Sequence, residues 1–97
     1  MTNALLSEQD RRLIHALQIL GDETRFKMFK LMLEKNDLCV SEIAQTLGVS
    51  VSAVSQHFRN FELLHIVKKQ RHGQRICYLI NETDPFVKQL YNLVCNN

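Results

Sequence analysis

Residues 40–61 read VSEIAQTLGVSVSAVSQHFRNF and contain two short apolar patterns separated by a glycine. In the first pattern, Ile43, Ala44 and Leu47 recur at the three-and-four spacing that places side chains on one face of a helix. Gly48 follows at once, and glycine readily takes the positive φ with which many helices end. The first half of this segment therefore predicts a short helix that stops in a tight turn.

A second helix is predicted directly after that turn. Ser50 is a favourable N-cap, and the spacing of Val54, Phe58 and Phe61 places all three on a buried face. The opposite face is small, polar and basic, and it carries Ser52, Ser55, Gln56, His57 and Arg59. A helix, a glycine turn and a second helix with such a face predict a helix-turn-helix whose second helix fits the major groove of DNA.

The residues that follow alternate as two strands joined by a turn. We predict strands at residues 65–70 and 75–80, and a turn around the glycine of residues 71–74. This hairpin carries basic side chains, and its place directly after a recognition helix is typical of a wing. Lysine and arginine side chains on a wing reach phosphates and the flanking minor groove, which adds strongly salt-dependent affinity.

The distribution of charge also indicates a phosphate-binding surface. The whole chain has a net charge of +2, yet residues 51–80 contain five basic residues and one acidic residue, so the remainder is net negative. Positive charge gathered in one third of a chain is typical of nucleic-acid binding. We predict contacts to double-stranded DNA from Ser50, Val51, Ser52, Ser55, Gln56, His57, Arg59, Lys68, Lys69, Arg71, His72 and Arg75.

Three further helices are predicted around this unit. Ser7 and Asp22 are favourable N-caps for the first two, and Asp84 followed by Pro85 begins the last. The last helix is apolar over more than half of its circumference, which one small domain cannot cover. We therefore expect the first and last helices to pair two copies of the chain in a homodimer.

The predicted fold class is mainly α with a small β-hairpin, in the order α-α-α-α-β-β-α. A length of 97 residues is close to the commonest domain size, so a single domain over residues 1–97 is expected. We place the helix-turn-helix at about residues 40–64, the wing at about 65–80, and the dimerisation helices at about 7–19 and 84–95.

Several classes of protein are disfavoured by composition and motifs. No apolar run approaches the ~20 residues that span a bilayer, and no secretory signal is visible at the N-terminus. Three cysteines without short paired spacings argue against a disulfide scaffold and for a reducing cytoplasm. The chain has no glycine-rich phosphate loop and no persuasive set of acid, base and nucleophile, so we do not expect an enzyme.

Four segments, in this order and spacing, resemble the ArsR/SmtB-type winged helix-turn-helix transcriptional repressors. They are residues 20–25 (LGDETR), 38–47, 52–58 (SAVSQHF) and 66–80. The resemblance covers nearly the whole chain and implies a homodimer that binds a palindromic operator and leaves it when an inducer binds. Inducers in the family are often metal ions or metalloids, and in some members oxidants or reactive sulfur. The chain departs from the family where Val51 replaces a polar residue and His65 replaces a glycine.

The resemblance also bears on how an inducer would be sensed. Arsenic and cadmium members carry Cys-x-Cys at the head of the third helix, whereas residues 39–41 here are Cys-Val-Ser. Zinc and nickel members use acidic and histidine ligands along the last helix, which here offers Asp84 and no histidine. Redox and reactive-sulfur members pair a cysteine of the second helix with one near the end of the last, where this chain has Lys30 and Cys95.

Cys39 and Cys95 are therefore the candidate sensing residues. Cys39 lies at an N-cap position with Glu42 three residues later, and the positive end of a helix dipole lowers the pKa of a thiol. A Cys39–Cys95 redox pair is one hypothesis, a thiophilic metal ion completed across the dimer is a second, and ordinary packing is a third. Cys77 is interpreted as an inert residue of the hairpin.

The sequence as a whole predicts a cytoplasmic, sequence-specific DNA-binding repressor that responds to an inducer through cysteines. Two alternatives remain: a winged-helix module that binds only protein, and a constitutive DNA binder without a sensing site. The basic hairpin and the polar side chains of residues 52–57 favour DNA over a protein partner.

Overall fold

Helices pack against a small antiparallel sheet in the computed structural model, which describes residues 5–35 and 38–96. The helices are α1 (Glu8–Leu20), α2 (Glu23–Glu34), α3 (Val40–Leu47), α4 (Val51–Leu63) and α5 (Pro85–Cys95). The strands are β1 (Leu38–Cys39), β2 (Val67–His72) and β3 (Arg75–Ile80). The predicted α-helical fold with a hairpin after α4 is confirmed.

The helices begin where local capping chemistry predicts. The Ser7 hydroxyl accepts a hydrogen bond from the Asp10 amide at 3.0 Å, and the Asp10 carboxylate accepts one from the Ser7 amide at 3.0 Å. Asp22 caps α2 by accepting from the Arg25 amide at 3.0 Å, and Asp84 caps α5. These side chains satisfy amide groups that the first turn of a helix leaves without partners.

The sheet has three strands rather than the two that were predicted. Its order is β1-β3-β2, so β3 lies in the middle and pairs with both neighbours. The additional strand, β1, places Leu38 opposite Tyr78 and Cys39 opposite Cys77. Two residues are too few to show an alternating pattern, and their partners lie far along the chain, so sequence periodicity missed this strand.

The first strand of the hairpin lies two residues later than predicted, at Val67–His72 instead of 65–70. Strand β2 continues to His72, which pairs with Arg75, so the turn contains only Gly73 and Gln74. Gly73 has a φ of 65°, which a two-residue hairpin turn requires and which glycine adopts without steric cost. The basic side chains of residues 71 and 72 therefore belong to a strand instead of a loop.

The core lies between the helices and one face of the sheet. Val54, Phe58 and Phe61 are fully buried, which confirms the predicted inner face of α4. The ring of Phe58 stacks on that of Tyr78, with centroids 3.9 Å apart, and Phe61 lies 6.3 Å from Phe29. Burial, followed by the nearby charge of Glu62, raises the pKa of Tyr78. Aromatic contacts thus fix α4 against both β3 and α2.

His65 lies in the middle of the connection between α4 and β2 and has an uncommon backbone conformation. Its φ is 58°, and among the described residues it is the one non-glycine residue with positive φ. Its amide donates to the Glu62 carbonyl at 2.9 Å, and its carbonyl accepts from the Asn81 side chain at 3.0 Å. These bonds hold a left-handed residue where related proteins were noted to carry glycine, which explains that departure physically.

Arg12 connects α1, the end of α4 and the beginning of α5. Its guanidinium donates to the Leu64 carbonyl at 2.7 Å and to the Asp84 carboxylate at 2.6 Å, and it lies 4.5 Å from the centre of the Phe86 ring. The hydrogen bond from Arg12 holds the pKa of Asp84 below its ordinary value. The side chain therefore ties α1 to the end of α4 and to the beginning of α5.

Replacing Arg12 with alanine is expected to lower the free energy of unfolding by about 1–3 kcal/mol at neutral pH, because it removes charge-assisted hydrogen bonds from a half-buried site. The folded-state pKa of Asp84 is lowered, so the Asp84 contribution is complete above the unfolded aspartate pKa of about 3.9 and is lost as pH falls through the folded value. Urea unfolding of Arg12→Ala and the wild type at several pH values measures this. Arg11→Ala, one residue away and exposed, is the control. A stability difference that does not narrow between pH 7 and pH 3 would contradict the role of Asp84.

Candidate nucleic-acid interface

The outer face of α4 is available to a partner. Its exposed residues are Val51, Ser52, Ser55, Gln56, Arg59 and, at the end of the helix, Leu63, and Ser50 before them is exposed as well. The Ser50 hydroxyl accepts from the Ala53 amide at 3.0 Å, and Gly48 has a φ of 68°, as the glycine turn predicted. The turn and the cap together fix where α4 begins, and the buried face of α4 fixes which of its side chains point outward.

His57 was predicted to be exposed on the outer face of α4, but the structure buries part of it. It is half-buried, and its Nδ1 atom is buried with no hydrogen-bond partner among the described residues. The pKa of Asp22 is lowered chiefly by the Arg25 amide, and the charges of Arg25 and His57 contribute further. His57 follows Val54 by three residues and precedes Phe61 by four, so helical spacing puts it at the edge of the buried face, beside the beginning of α2.

The basic residues of the hairpin are exposed on both faces of the ribbon. Side chains of a strand alternate between faces, so Lys69 and Arg71 share the face of Tyr78, while Lys68 and His72 lie on the other. The basic residues Lys68, Lys69, Arg71, His72 and Arg75 are all exposed. The hairpin thus presents positive charge along its length and not only at its tip.

Arg75 has a protein partner that the sequence did not suggest. Its guanidinium lies 3.5 Å from the carboxylate of Glu42 in α3. Both side chains are about half exposed, and such surface ion pairs contribute little and exchange readily with other partners. Arg75 can therefore contact a phosphate by releasing Glu42.

The two predicted contact regions meet in one cleft. Its volume is about 250 Å³, and its walls come from α4, the wing and the head of α3. The residues that line it are Cys39, Val40, Ser41, Val51, Ser55, Gln74, Arg75 and Ile76. The first turn of α4 and the turn of the hairpin therefore open onto the same side of the molecule, and a single long ligand could touch both.

The cysteines are arranged differently from the prediction. Cys39 forms a disulfide with Cys77, its direct neighbour across β1 and β3, and Cys95 is free and exposed. The structure therefore pairs Cys39 with Cys77 and not, as the redox hypothesis had it, with Cys95, and Cys77 takes part in a bond that was not expected of it. The error follows from the missed strand β1, because without β1 nothing in the sequence places residue 39 beside residue 77.

Cys95 lies instead in a shallow cleft shared with Lys30, Leu33 and Glu34 of α2. Lys30 therefore lies near Cys95, at the position in α2 where the redox-sensing members of the family carry the second cysteine of their pair. In residues 5–35 and 38–96, no three histidine, cysteine, aspartate or glutamate side chains are grouped as metal ligands.

A broad apolar face lies away from the cleft, on α1 and α5. Leu17 is 55% exposed and Leu93 is 67% exposed, and both border a groove with Leu20, Phe26 and Leu90. Leu13 and Ile14 extend the same apolar surface along α1. Large contiguous apolar patches are rare on the surface of monomeric proteins, and they usually mark sites of interaction with a partner. None of the helices in the described part of the chain is long and apolar enough to cross a bilayer.

Two helices joined by a glycine turn, followed by a basic β-hairpin and flanked by helices, define a winged helix-turn-helix protein. The family model "Bacterial regulatory protein, arsR family" matches residues 22–69. The chain belongs to this family, and the resemblance noted in the sequence is confirmed.

Individual relatives agree with this assignment. The chain is 32% identical over 63 residues to "Cadmium resistance transcriptional regulatory protein CadC" of Listeria innocua, a match that covers 65% of this chain and 53% of CadC. The chain spans about half the length of such curated relatives. The relatives that are described by function are regulators and not enzymes.

Solved structures show the same fold. HlyU from Vibrio cholerae has a TM-score of 0.80 at 23% identity, and the match covers 94% of this chain and 96% of HlyU. Mb0332 from Mycobacterium bovis, described as a homodimeric winged helix-turn-helix DNA-binding domain, has a TM-score of 0.73 at 22% identity, with 89% of this chain and 77% of Mb0332 covered.

Proposed function

We propose that this chain is a cytoplasmic DNA-binding transcriptional repressor that acts as a homodimer on a palindromic operator. The observation that carries the proposal is the shared cleft, because α4 and the wing open onto one side with polar and basic side chains. A helix in the major groove with a basic hairpin beside it engages base edges and phosphates of the same duplex. CadC, a relative by sequence, is named as a transcriptional regulator, which supports the same function.

The proposed dimer uses the apolar face of α1 and α5. Covering Leu17 and Leu93 removes exposed hydrophobic surface, and a two-fold axis there would present two α4 helices to one duplex. Half-sites read by such a dimer are spaced by about one DNA turn. The homodimeric description of Mb0332, which shares this fold, supports the arrangement.

The roles proposed for individual residues follow from their positions. Gln56 and Ser52, exposed on α4, contact base edges, and Val51 at the first turn suits the methyl group of a thymine. Arg59 and the wing cations contact phosphates, which carry no sequence information. An inducer that acts through cysteines, by redox chemistry, reactive sulfur or a thiophilic metal ion, would shift the dimer between two states that differ in operator affinity.

Substitutions in the wing and in α4 are expected to have different effects on DNA binding. Arg71→Ala should weaken binding to every duplex and reduce the slope of log K against log salt by about 1 per wing, because one phosphate contact is lost. Gln56→Ala should cost about 1–3 kcal/mol on the preferred sequence and little on random duplex, because a base contact is lost. Fluorescence anisotropy on a duplex selected from a random library and on an unselected one, over a salt series, measures both effects.

Lys88→Ala is the matched control for the loss of charge, since Lys88 is exposed on α5 outside the helix-turn-helix and the wing. It should leave the salt slope unchanged. Equal losses on selected and random duplex for Gln56→Ala would refute its role in base reading. If the wild-type protein binds duplex DNA without a steep dependence on salt, the alternative of a winged-helix module that binds only protein is favoured.

A further inference from the structure

We propose that Cys39 and Cys77 are a reversible thiol–disulfide couple that controls how firmly the wing is held to the helix-turn-helix, and through it the affinity for DNA. This inference rests on the proposed DNA-binding function and adds the chemistry that regulates it. This pair joins β1 to β3 and differs from the pair described above for redox-sensing members of the family, which joins α2 to the end of α5.

The disulfide crosses the junction between two functional parts. Cys77 belongs to β3, the middle strand, which continues into the wing. Cys39 ends β1 and is the N-cap of α3, the first helix of the helix-turn-helix. The two residues are 38 positions apart, and the bond therefore ties the wing directly to the head of α3.

The other connections across this junction are noncovalent. β1 contributes only two residues to the sheet, and the ion pair from Glu42 to Arg75, at 3.5 Å, is solvent-exposed. Tyr78 stacks on Phe58 and holds β3 to α4 from the core side. When the disulfide is absent, only noncovalent contacts hold β1 and the head of α3 to β3, so this edge of the wing can open locally without breaking a covalent bond.

Small reagents can approach the couple from the proposed DNA-binding side. Cys39 is 6% exposed and Cys77 is 1% exposed, and Cys39 lines the cleft formed with Val51, Ser55 and Gln74. In the reduced protein the Cys39 sulfur would occupy the N-cap of α3, where amide dipoles favour a thiolate. The same cleft is the one that a bound duplex would cover. A bound duplex would therefore hinder small oxidants and reductants from reaching Cys39.

The oxidant in this proposal is a hydroperoxide, which a thiolate attacks directly. The Cys39 thiolate attacks one peroxide oxygen of hydrogen peroxide, the O–O bond breaks, and the departing hydroxide takes a proton to leave as water. The resulting Cys39 sulfenic acid is attacked by the Cys77 sulfur, which forms the S–S bond and releases the second water. Two thiols thus lose two electrons and two protons, and the peroxide is reduced to two waters. A small dithiol reverses the change by exchange and becomes a cyclic disulfide.

The disulfide form is expected to bind DNA more tightly. A wing that is already fixed beside α4 loses less conformational freedom on binding than a loosened one, and ordering of even a few side chains changes affinity severalfold. We expect about a fivefold difference between the two forms. By reciprocity, bound DNA must favour the disulfide over the dithiol by the same factor.

The experiment compares two redox forms of one protein, so it does not depend on whether a variant folds. Full-length Cys95→Ser, which cannot form bonds between chains through residue 95, is treated with hydrogen peroxide or with dithiothreitol and then freed of reagent. Intact mass and peptide mapping report the Cys39–Cys77 bond. Fluorescence anisotropy on the duplex selected from a random library reports the affinity for DNA. We expect the oxidised form to bind about fivefold tighter, and the duplex to slow reduction by dithiothreitol.

Cys39→Ser and Cys77→Ser in the same background should each bind like the reduced form and ignore peroxide. Equal affinity of the two forms, each with a steep salt slope, would overturn the redox inference and leave the proposed DNA-binding function intact. Peroxide that fails to join Cys39 to Cys77 would also overturn it. If neither form binds any duplex, the proposed function fails, and the regulatory inference fails with it.

Discussion

Leu93→Asp is expected to leave the chain folded but monomeric, and to lower its affinity for a duplex with two half-sites by about 100-fold or more, since linked half-sites gain that much from effective concentration. Leu93 is 67% exposed and borders the apolar groove of α1, α2 and α5, so a carboxylate there costs little in a monomer. In a dimer it would be buried without a partner, which is strongly unfavourable.

Sedimentation and anisotropy measure the two parts of this prediction, the first on the protein alone and the second with duplexes of one and two half-sites. Asn92→Asp is the matched control, because it adds the same charge one residue away, at a site shared with Ile80 and Lys88 instead of the groove. It should remain dimeric with unchanged affinity. Affinity for a single half-site should be similar in both variants. A dimeric Leu93→Asp protein would show that the copies pair through a different surface.

The helices were predictable because their signals are local. Ser7, Asp22, Ser50 and Asp84 each cap the helix that follows, and Gly48 takes the positive φ that its position requires. Capping depends on atoms within three residues, so one sequence contains all the information needed. The buried face of α4 followed from spacing alone for the same reason.

The arrangement of the cysteines was not predictable in this way. It depends on β1, which is two residues long and acquires its partner only when β3 folds beside it. Pairing over 38 positions leaves no periodic signal in either segment, and the ion pair from Glu42 to Arg75 depends on the same contact. The predicted exposure of His57 was wrong for a different reason, because His57 lies on the boundary between two faces of α4, where helical spacing cannot separate a half-buried residue from an exposed one.

Phe58→Ala is expected to be the most destabilising single change in the helix-turn-helix. Phe58 is fully buried and stacks on Tyr78 with ring centroids 3.9 Å apart, so truncation leaves a cavity between α4 and β3. Phenylalanine-to-alanine changes in cores cost about 3–5 kcal/mol, a large share of the roughly 5–15 kcal/mol that holds a domain folded. We expect Tm to fall by roughly 15 °C or more.

Phe58→Leu is the informative control, because leucine restores most of the volume that alanine removes. It should cost about 1–1.5 kcal/mol, as volume-conserving core changes usually do. Urea and thermal unfolding at one fixed protein concentration compare the variants. Burial raises the pKa of Tyr78, so ultraviolet titration of Phe58→Ala should show that pKa returning toward its ordinary value as the ring loses its cover. A loss of stability below 1 kcal/mol in Phe58→Ala, with the tyrosine titration unchanged, would mean that α4 is held in place chiefly by Phe61 and α2, and that the contact of α4 with the wing is secondary.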